Sequence, residues 1–331
     1  MSVNTEPTGP EAQAVAGNAG AAQVPVPPGE AGVIRPVPGG GSVSSVMQSR
    51  RRWEFMYFAV RNKKLMLGLV VEAVFVFIAI FGSAIAPYAS SKTFTPPGLH
   101  PSLNHLFGTT YPFGQDVFSQ WLGGVRDSYL VGALGAVSAG VIGLAVGFAA
   151  GWRGGWLDEL LQLLTNVVVC LPQLVLMIVI SAYQTNRSTL FEGVFIGVTG
   201  WPWVARAVRA QTFTLKARDF VDMARMSGRR ATSIVLKDIA PNMASYIFLV
   251  FVLLFASSML VAVNFDFLGL GPTGTMSIGD MMNLANQWSA LQLHVWWWFL
   301  PPGAAMTLMV VALLITNVGL DEVFNPKLRQ Q

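Results

Sequence analysis

Side chains suited to covalent or metal chemistry are few in this sequence, and their spacing does not favour such chemistry. Cys170 is the single cysteine, so neither an intrachain disulfide nor a cysteine-based zinc site can form. The histidines are His100, His105 and His294, whose spacing does not fit an HExxH zinc-hydrolase pair. No GxxxxGK[ST] segment occurs, which excludes a P-loop for nucleotide phosphates. We therefore expect no catalytic, cofactor-binding or metal-binding residues in this chain.

Glu72 is the one acidic residue within the apolar run from Leu65 to Ala86, and an intramembrane carboxylate is a functional candidate. It could relay protons in an ion-coupled secondary transporter, or it could accept a hydrogen bond inside a helix bundle. No second acid or histidine is expected at membrane depth to complete a relay, so the structural role is favoured. An intramembrane hydrolase would need a nucleophile with a base, or paired acids, and no such set is visible.

The composition places these residues in a membrane protein. Of the 331 residues, 53% are hydrophobic and only 11% are charged, whereas a soluble domain has about 25% charged residues. Crossing the ~30 Å hydrocarbon core takes about 20 apolar helical residues. Five runs reach this length, and a sixth, Gly193 to Ala205, reaches it if it begins near Ser188 and extends past Arg206. The five long runs are Leu65 to Ala86, Tyr129 to Gly151, Leu160 to Tyr183, Ile239 to Phe265 and Val295 to Leu320.

The distribution of basic residues supports six spans with both termini in the cytoplasm. In that topology 18 of the 21 lysines and arginines lie in inside segments, and the outside segments hold only Lys92, Arg126 and Arg187. Basic residues mark the cytoplasmic side of membrane proteins. Without the short sixth run, the last span would have the wrong orientation. The sequence therefore predicts an all-α polytopic membrane protein with six transmembrane helices.

The chain divides into three parts. Residues 1–49 contain 7 of the 19 prolines, 8 glycines and no aromatic residue, a composition typical of a disordered cytoplasmic tail. Residues 50–64 form a basic segment before the first helix, and residues 65–331 form one transmembrane domain. A secretory signal is not expected, because the basic flank and the apolar run begin only after residue 50.

Small residues recur every fourth position in the second span, on one face of the predicted helix. Such a row lets another helix approach closely in lipid. It predicts a multi-helix bundle, and ordinary packing is favoured over a special role in motion. The packing residues are Gly135, Gly143, Gly147 and Gly151, with Ala139 between them.

The predicted inner loop, residues 206–242, has a defined shape. From Asp219 it reads DFVDMARMSGRRATSIVLKDIAPN. An apolar-rich helix is expected up to Met226, followed by a turn at Gly228 and a second amphipathic stretch from Thr232 to Ile239. Pro241 is then expected in the first turn of the fifth span, where its missing N–H is tolerated. This arrangement suggests a surface for a protein partner.

This loop resembles the EAA motif of ABC-importer permeases, which has an acidic-Ala-Ala triplet, three residues, a glycine, nine residues and a short apolar tail that ends in proline. Asp222, Met223 and Ala224 stand at the triplet, Gly228 at the glycine and Pro241 at the end. The spacing is retained although aspartate replaces glutamate and methionine replaces the first alanine. The resemblance implies that Asp222, Ala224, Arg225, Gly228 and Pro241 form an ATPase-coupling loop.

Further segments resemble the C-type permeases of dipeptide and oligopeptide importers, and the similarity covers roughly residues 50–329. The loop before the second span has Gly108, Asp116 and Arg126 in common with that branch, and the segment after the fifth span contains FLGLG at 267–271. The family implies the type I ABC importer permease fold. It also implies location in the cell (inner or plasma) membrane.

The resemblance also implies partners. A B-type permease would complete a heterodimer, two ATP-binding subunits would hold ATP and Mg²⁺, and an extracytoplasmic substrate-binding protein would deliver the solute. Contact with membrane lipid is expected, and contact with nucleic acid is not. Peptides are the expected cargo, with oligosaccharides or nickel as alternatives for the same machinery. An ion-coupled secondary transporter is the remote alternative, for which only Glu72 qualifies as a coupling group.

Overall fold

A computed structural model describes residues 58–184 and 186–324, and the regular secondary structure in this part of the chain is helical apart from two isolated β-bridges. The predicted tail and most of the segment 50–64 lie outside the described residues. The helices are α1 (Lys63–Ile85), α2 (Val117–Arg153), α3 (Gly155–Cys170), α4 (Gln173–Ala182), α5 (Thr189–Lys216), α6 (Asp219–Met226), α7 (Ala231–Ile234), α8 (Ala240–Asn242), α9 (Ala244–Phe267), α10 (Ile278–Gln287) and α11 (Trp296–Phe324).

The first and last helices pack against each other and run in opposite directions. Gly68 of α1 lies against Thr316, and Gly319 of α11 lies against Leu65. At the end of this contact, the side-chain amide of Asn62 donates to Glu322 Oε2 at 2.8 Å, while the Asn62 side-chain oxygen caps α1. Small residues therefore allow close contact of α1 with α11, and a polar cluster fixes their register.

Helices α2 and α5 are parallel and in contact at successive levels. Gly193 of α5 packs beside Leu134, and a Cβ added to Gly143, Gly147 or Gly151 would lie 2.6–2.8 Å from the Cβ of Val204, Val208 or Thr212, respectively. Each step along α2 is matched by an equal step along α5, so the two helices lie side by side. Helix α5 therefore passes through the same layer as α2. Gly135, the first glycine of the predicted row, instead faces Ser258 of α9 and Ile196 of α5.

Helices α3 and α4 form a broken span. The chain bends by 72° at Leu171 and Pro172, where the residue before a proline is driven out of the helical region. The pair runs antiparallel to α5, to which it is joined by side-chain hydrogen bonds from Arg209 to Asp158 and from Gln173 to Thr199. These polar contacts hold the two halves in place across the break.

In the described part of the chain, four helices are long and apolar enough to cross a membrane, and the bent pair makes a fifth span. Helix α5 does not meet that criterion, since Glu192, Arg206 and Arg209 lie within it. Its continuous pairing with α2, which does meet the criterion, nevertheless places it across the same layer. Helix packing therefore supports all six predicted spans, whereas helix length and composition alone support five.

Two helices extend beyond the predicted apolar runs. Helix α2 begins at Val117, well before the predicted Tyr129, because the buried Asp116 carboxylate caps its N-terminus by accepting from the Ser119 N–H at 2.8 Å. The irregular outer segment is correspondingly shorter. Helix α5 continues to Lys216, so the first part of the predicted inner loop is an extension of this helix.

We predict that Gly147→Ala destabilises the protein. The new Cβ would lie 2.7 Å from Val208 Cβ and 2.8 Å from the Ala205 carbonyl oxygen, and overpacking of this kind costs about 1–3 kcal/mol. That loss exceeds the ~1 kcal/mol that alanine gains over glycine in a helix. Denaturant unfolding in detergent measures the difference. Gly123→Ala on the same helix is the control, since nothing lies within 4 Å of its added Cβ. Equal stability of the two variants would contradict a tight α2–α5 contact.

Candidate functional site

The chain between α5 and α9 folds into two helical arms. Helix α6 spans Asp219–Met226, a turn follows, and α7 (Ala231–Ile234) continues through a π-helical turn (Val235–Ile239) into α8. The predicted order of helix, glycine turn and helix is therefore confirmed. We call residues 219–242 the two-arm loop.

Helix α6 has one buried and one exposed face. Val221 and Ala224 pack into the core that also contains Val208 of α5. On the opposite side, the side chains of Met223 and Met226 are 58% and 81% exposed. Asp222 is also exposed and forms a 3.1 Å ion pair with Arg225. The arm is thus fixed to the bundle on one side and offers methionines and charges on the other.

A Schellman motif ends α6. Gly228 has a φ of +70°, the Gly228 N–H donates to Arg225 O at 2.9 Å, and the Arg229 N–H donates to Ala224 O at 3.3 Å. This pair of bonds requires a left-handed residue at the glycine position. No atom lies within 4 Å of a Cβ added to Gly228, so its backbone conformation, rather than space, requires glycine.

An ion pair between Arg229 and Asp238 joins the turn to the second arm, which comprises α7, the π-helical turn and α8. Both Arg229 Nη1 contacts with the Asp238 carboxylate are 2.8 Å. Pro241 lies in the first turn of α8, which Met243 alone separates from α9, and a π-helical turn rather than a loop precedes it. The Asn242 side-chain amide donates to the Asp238 carbonyl oxygen at 2.6 Å.

The two-arm loop is linked to α2 through Trp152. The Lys216 ammonium donates to the Trp152 carbonyl oxygen, and the Arg225 guanidinium lies 5.1 Å from the centre of the indole ring, within the range of a cation–π contact. Arg225 therefore contacts both Asp222 and the end of a membrane helix. Among the predicted loop residues, the structure brings Asp222, Ala224, Arg225 and Gly228 together, while Pro241 lies at the far end of the second arm.

Glu72 accepts a hydrogen bond from the Tyr129 hydroxyl, as the structural interpretation of this residue predicts. Two further acidic side chains are buried in the helix bundle, each close to a helix end. Glu192 and Asp266 are buried, with 3% and 1% of their surface exposed. Glu192 directly precedes the short apolar run from Gly193, and Asp266 directly follows the run that ends at Phe265. No local pattern indicates that the two residues meet.

The outer segment before α2 contains several of the residues that resemble C-type permeases. His105 Nδ1 lies 2.8 Å from Asp116 Oδ1, so this histidine is locally bonded. Gly108 and Gly114 have φ values of +67° and +65° and lie against backbone carbonyl oxygens. These residues build the entry to α2. Within residues 58–184 and 186–324, no group of three metal-ligating side chains is placed to hold a metal ion.

Comparison with known proteins places these features in a family. The model described as the inner membrane component of binding-protein-dependent transport systems matches residues 143–330, which include the two-arm loop. A putative peptide transport system permease of Brucella abortus biovar 1 (strain 9-941) is 30% identical over 280 residues, covering 82% of this chain and 90% of the relative.

Two further relatives match this chain over a similar length. The dipeptide transport system permease of Bacillus subtilis (strain 168) is 29% identical over 272 residues, covering 82% of this chain and 84% of its own. The glutathione transport system permease of Escherichia coli O6:K15:H31 is 30% identical over 287 residues, covering 85% and 93%. With its polytopic helical fold and its two-arm loop, the chain belongs to the family of inner membrane permease components of binding-protein-dependent ABC importers.

Proposed function

We propose that this chain is the C-type permease subunit of an ATP-driven importer of peptides. The observation that carries the proposal is the two-arm loop, a rigid unit mounted on the end of the bundle with an exposed face of methionines and charges. The names of the similar permeases, which refer to peptides, a dipeptide and glutathione, support peptides as the cargo. Oligosaccharide or nickel import by the same machinery remains the alternative cargo.

The assembly that follows has four further components. A B-type permease pairs with this chain in the membrane, two ATP-binding subunits hold ATP and Mg²⁺, and a substrate-binding protein delivers the peptide from outside. This chain supplies no catalytic group and binds no cofactor. The excess of basic residues in the predicted inside segments supports a cytoplasmic location for both termini and for the two-arm loop.

The contacts of the loop suggest how ATP hydrolysis is coupled to transport. An ATPase that moves α6 pulls on α2 through Trp152 and on α5 through the shared core of Val221 and Val208. Because α2 and α5 are in contact at every level, they move as one body. Such rigid-body movement of helices between two packed arrangements is a general mechanism of switching.

We predict that Gly228→Val uncouples ATP hydrolysis from uptake, whereas Gly228→Asn largely preserves coupling. A left-handed backbone costs an ordinary residue about 1–2 kcal/mol, and asparagine tolerates it better than a β-branched side chain. Both variants add a side chain where there is open space, so steric bulk is matched. Peptide uptake and ATPase activity of the reconstituted complex are compared at equal permease content. Equal uptake by the two variants would show that the Schellman turn is not required for coupling.

A second prediction concerns the ion pair that closes the loop. Arg229→Gln should increase protease cleavage within residues 227–230 and weaken ATPase binding by up to about fivefold, since an exposed pair contributes at most ~1 kcal/mol. Arg230→Gln is the matched control, because it removes the same charge at the adjacent position. The exposed Arg230 side chain makes no ion pair among the described residues. If both variants behave alike, net charge rather than the Arg229–Asp238 pair determines docking.

The cargo is tested on the complete importer. We expect the substrate-binding protein of this system to bind peptides from a mixed panel, and the reconstituted complex to accumulate the bound peptides when ATP is present. The same panel contains oligosaccharides and Ni²⁺. Binding and uptake of either, without peptide, would assign the alternative cargo. Uptake without the ATP-binding subunits, driven by an ion gradient, would reject the importer mechanism itself.

A further inference from the structure

A second polar site lies at the end of the bundle opposite the two-arm loop. Glu192 is in the first turn of α5, and Asp266 is in the last turn of α9. Their carboxyl groups are neighbours in the folded chain, although 74 positions separate them in the sequence. Both residues are almost completely buried.

The two carboxyl groups have too few donors to be stable as two anions. Both Glu192 carboxyl oxygens and Asp266 Oδ1 are buried without a hydrogen-bond donor in the described part of the chain. No basic side chain of that part forms an ion pair with either residue. An ionised carboxylate is only an acceptor, and two like charges in contact away from water cannot both persist.

The charged neighbours do not change this conclusion. Asp127 approaches from α2 beside Arg126, and Asp280 approaches from α10. Arg187, which precedes α5, acts on Asp280. An added Cβ on Gly271 would lie 2.7 Å from Asp266 Oδ1 and 2.6 Å from Asp280 Oδ1, so the carboxyl groups converge on one small space. Acidic neighbours raise the cost of a second negative charge on the pair.

We propose that Glu192 and Asp266 share one bound proton, and that the resulting O–H···O bond joins the end of α5 to the end of α9. The bound species is a proton rather than a metal ion, because no set of three side chains in the described residues is arranged for a metal. The site is independent of the transported solute and of the two-arm loop. It adds a proton-binding function to the face of the bundle that is predicted to lie outside.

The direction of the pH effect follows from proton linkage. The folded protein retains a proton that the same carboxyl groups release in the unfolded chain above about pH 4–5. Stability therefore falls as the pH rises above this range, and the fall continues for as long as the folded pair keeps its proton. Burial raises the pKa of Asp280 to about 6, so this neighbour is already ionised between pH 7 and pH 9 and contributes little to the change in that interval.

The test uses the assembled transporter in detergent, with Tm measured at intervals from pH 7 to pH 9. We expect the wild-type Tm to fall by roughly 3–6 °C over this interval, and Glu192→Gln to remove most of that fall, because a neutral amide can donate the same hydrogen bond at any pH. Glu159→Gln is the control, since it makes the same change on an exposed residue of α3 and should retain the wild-type slope. An unchanged slope in Glu192→Gln overturns the proposal.

Two further measurements distinguish a bound proton from a bound cation. Infrared difference spectroscopy should show the C=O stretch of a protonated carboxylic acid that disappears in Glu192→Gln, a signal that a purely structural residue would not give. Stabilisation of the wild type by Ca²⁺, Mg²⁺ or Na⁺ at pH 8, absent in Glu192→Gln, would instead identify a cation and reject the shared proton. Asp266→Asn gives the same test from α9 where Glu192→Gln does not accumulate.

Discussion

The close contact of α2 with α5 is the interaction on which the rest of the structure depends. Lipid chains are as apolar as the helix surfaces, so helices in a membrane associate through tight packing rather than through exclusion from water. Glycines at positions 143, 147 and 151 bring the two backbones together. This contact holds the weakly hydrophobic α5 in the membrane. Helix α5 continues to Lys216, where it supports the two-arm loop, and Glu192 lies at its other end.

Patterns local in sequence predicted much of this architecture. Apolar length identified five spans, and the positions of Arg206 to Lys237 supplied the orientation that required a sixth. The two-arm loop was predicted because its signals, the apolar positions from Val221 to Met226 and the single Gly228, lie within a short stretch. The residue spacing also indicated the correct family, since a motif of this kind depends on fixed distances along the chain.

Features that depend on contacts between distant segments were not predictable in this way. Nothing near Glu192 indicates that Asp266 will face it, and each residue alone is typical of a span end. The early start of α2 depends on the buried Asp116 cap, which in turn is held by His105 from the preceding segment. Pro241 lies in the first turn of α8, but the π-helical turn that precedes it, Val235–Ile239, has no signal in the sequence.

The pairing of α1 with α11 affects the order in which the protein is made. Among the described helices α1 is synthesised long before α11, yet it packs most extensively against α11. Until α11 arrives, Gly68 and the helix face beside it have no partner, and Asn62 and Lys64 lack Glu322. The complete bundle therefore forms only after α11 has been made, and a chain truncated before Trp296 would leave an unfilled groove beside α1.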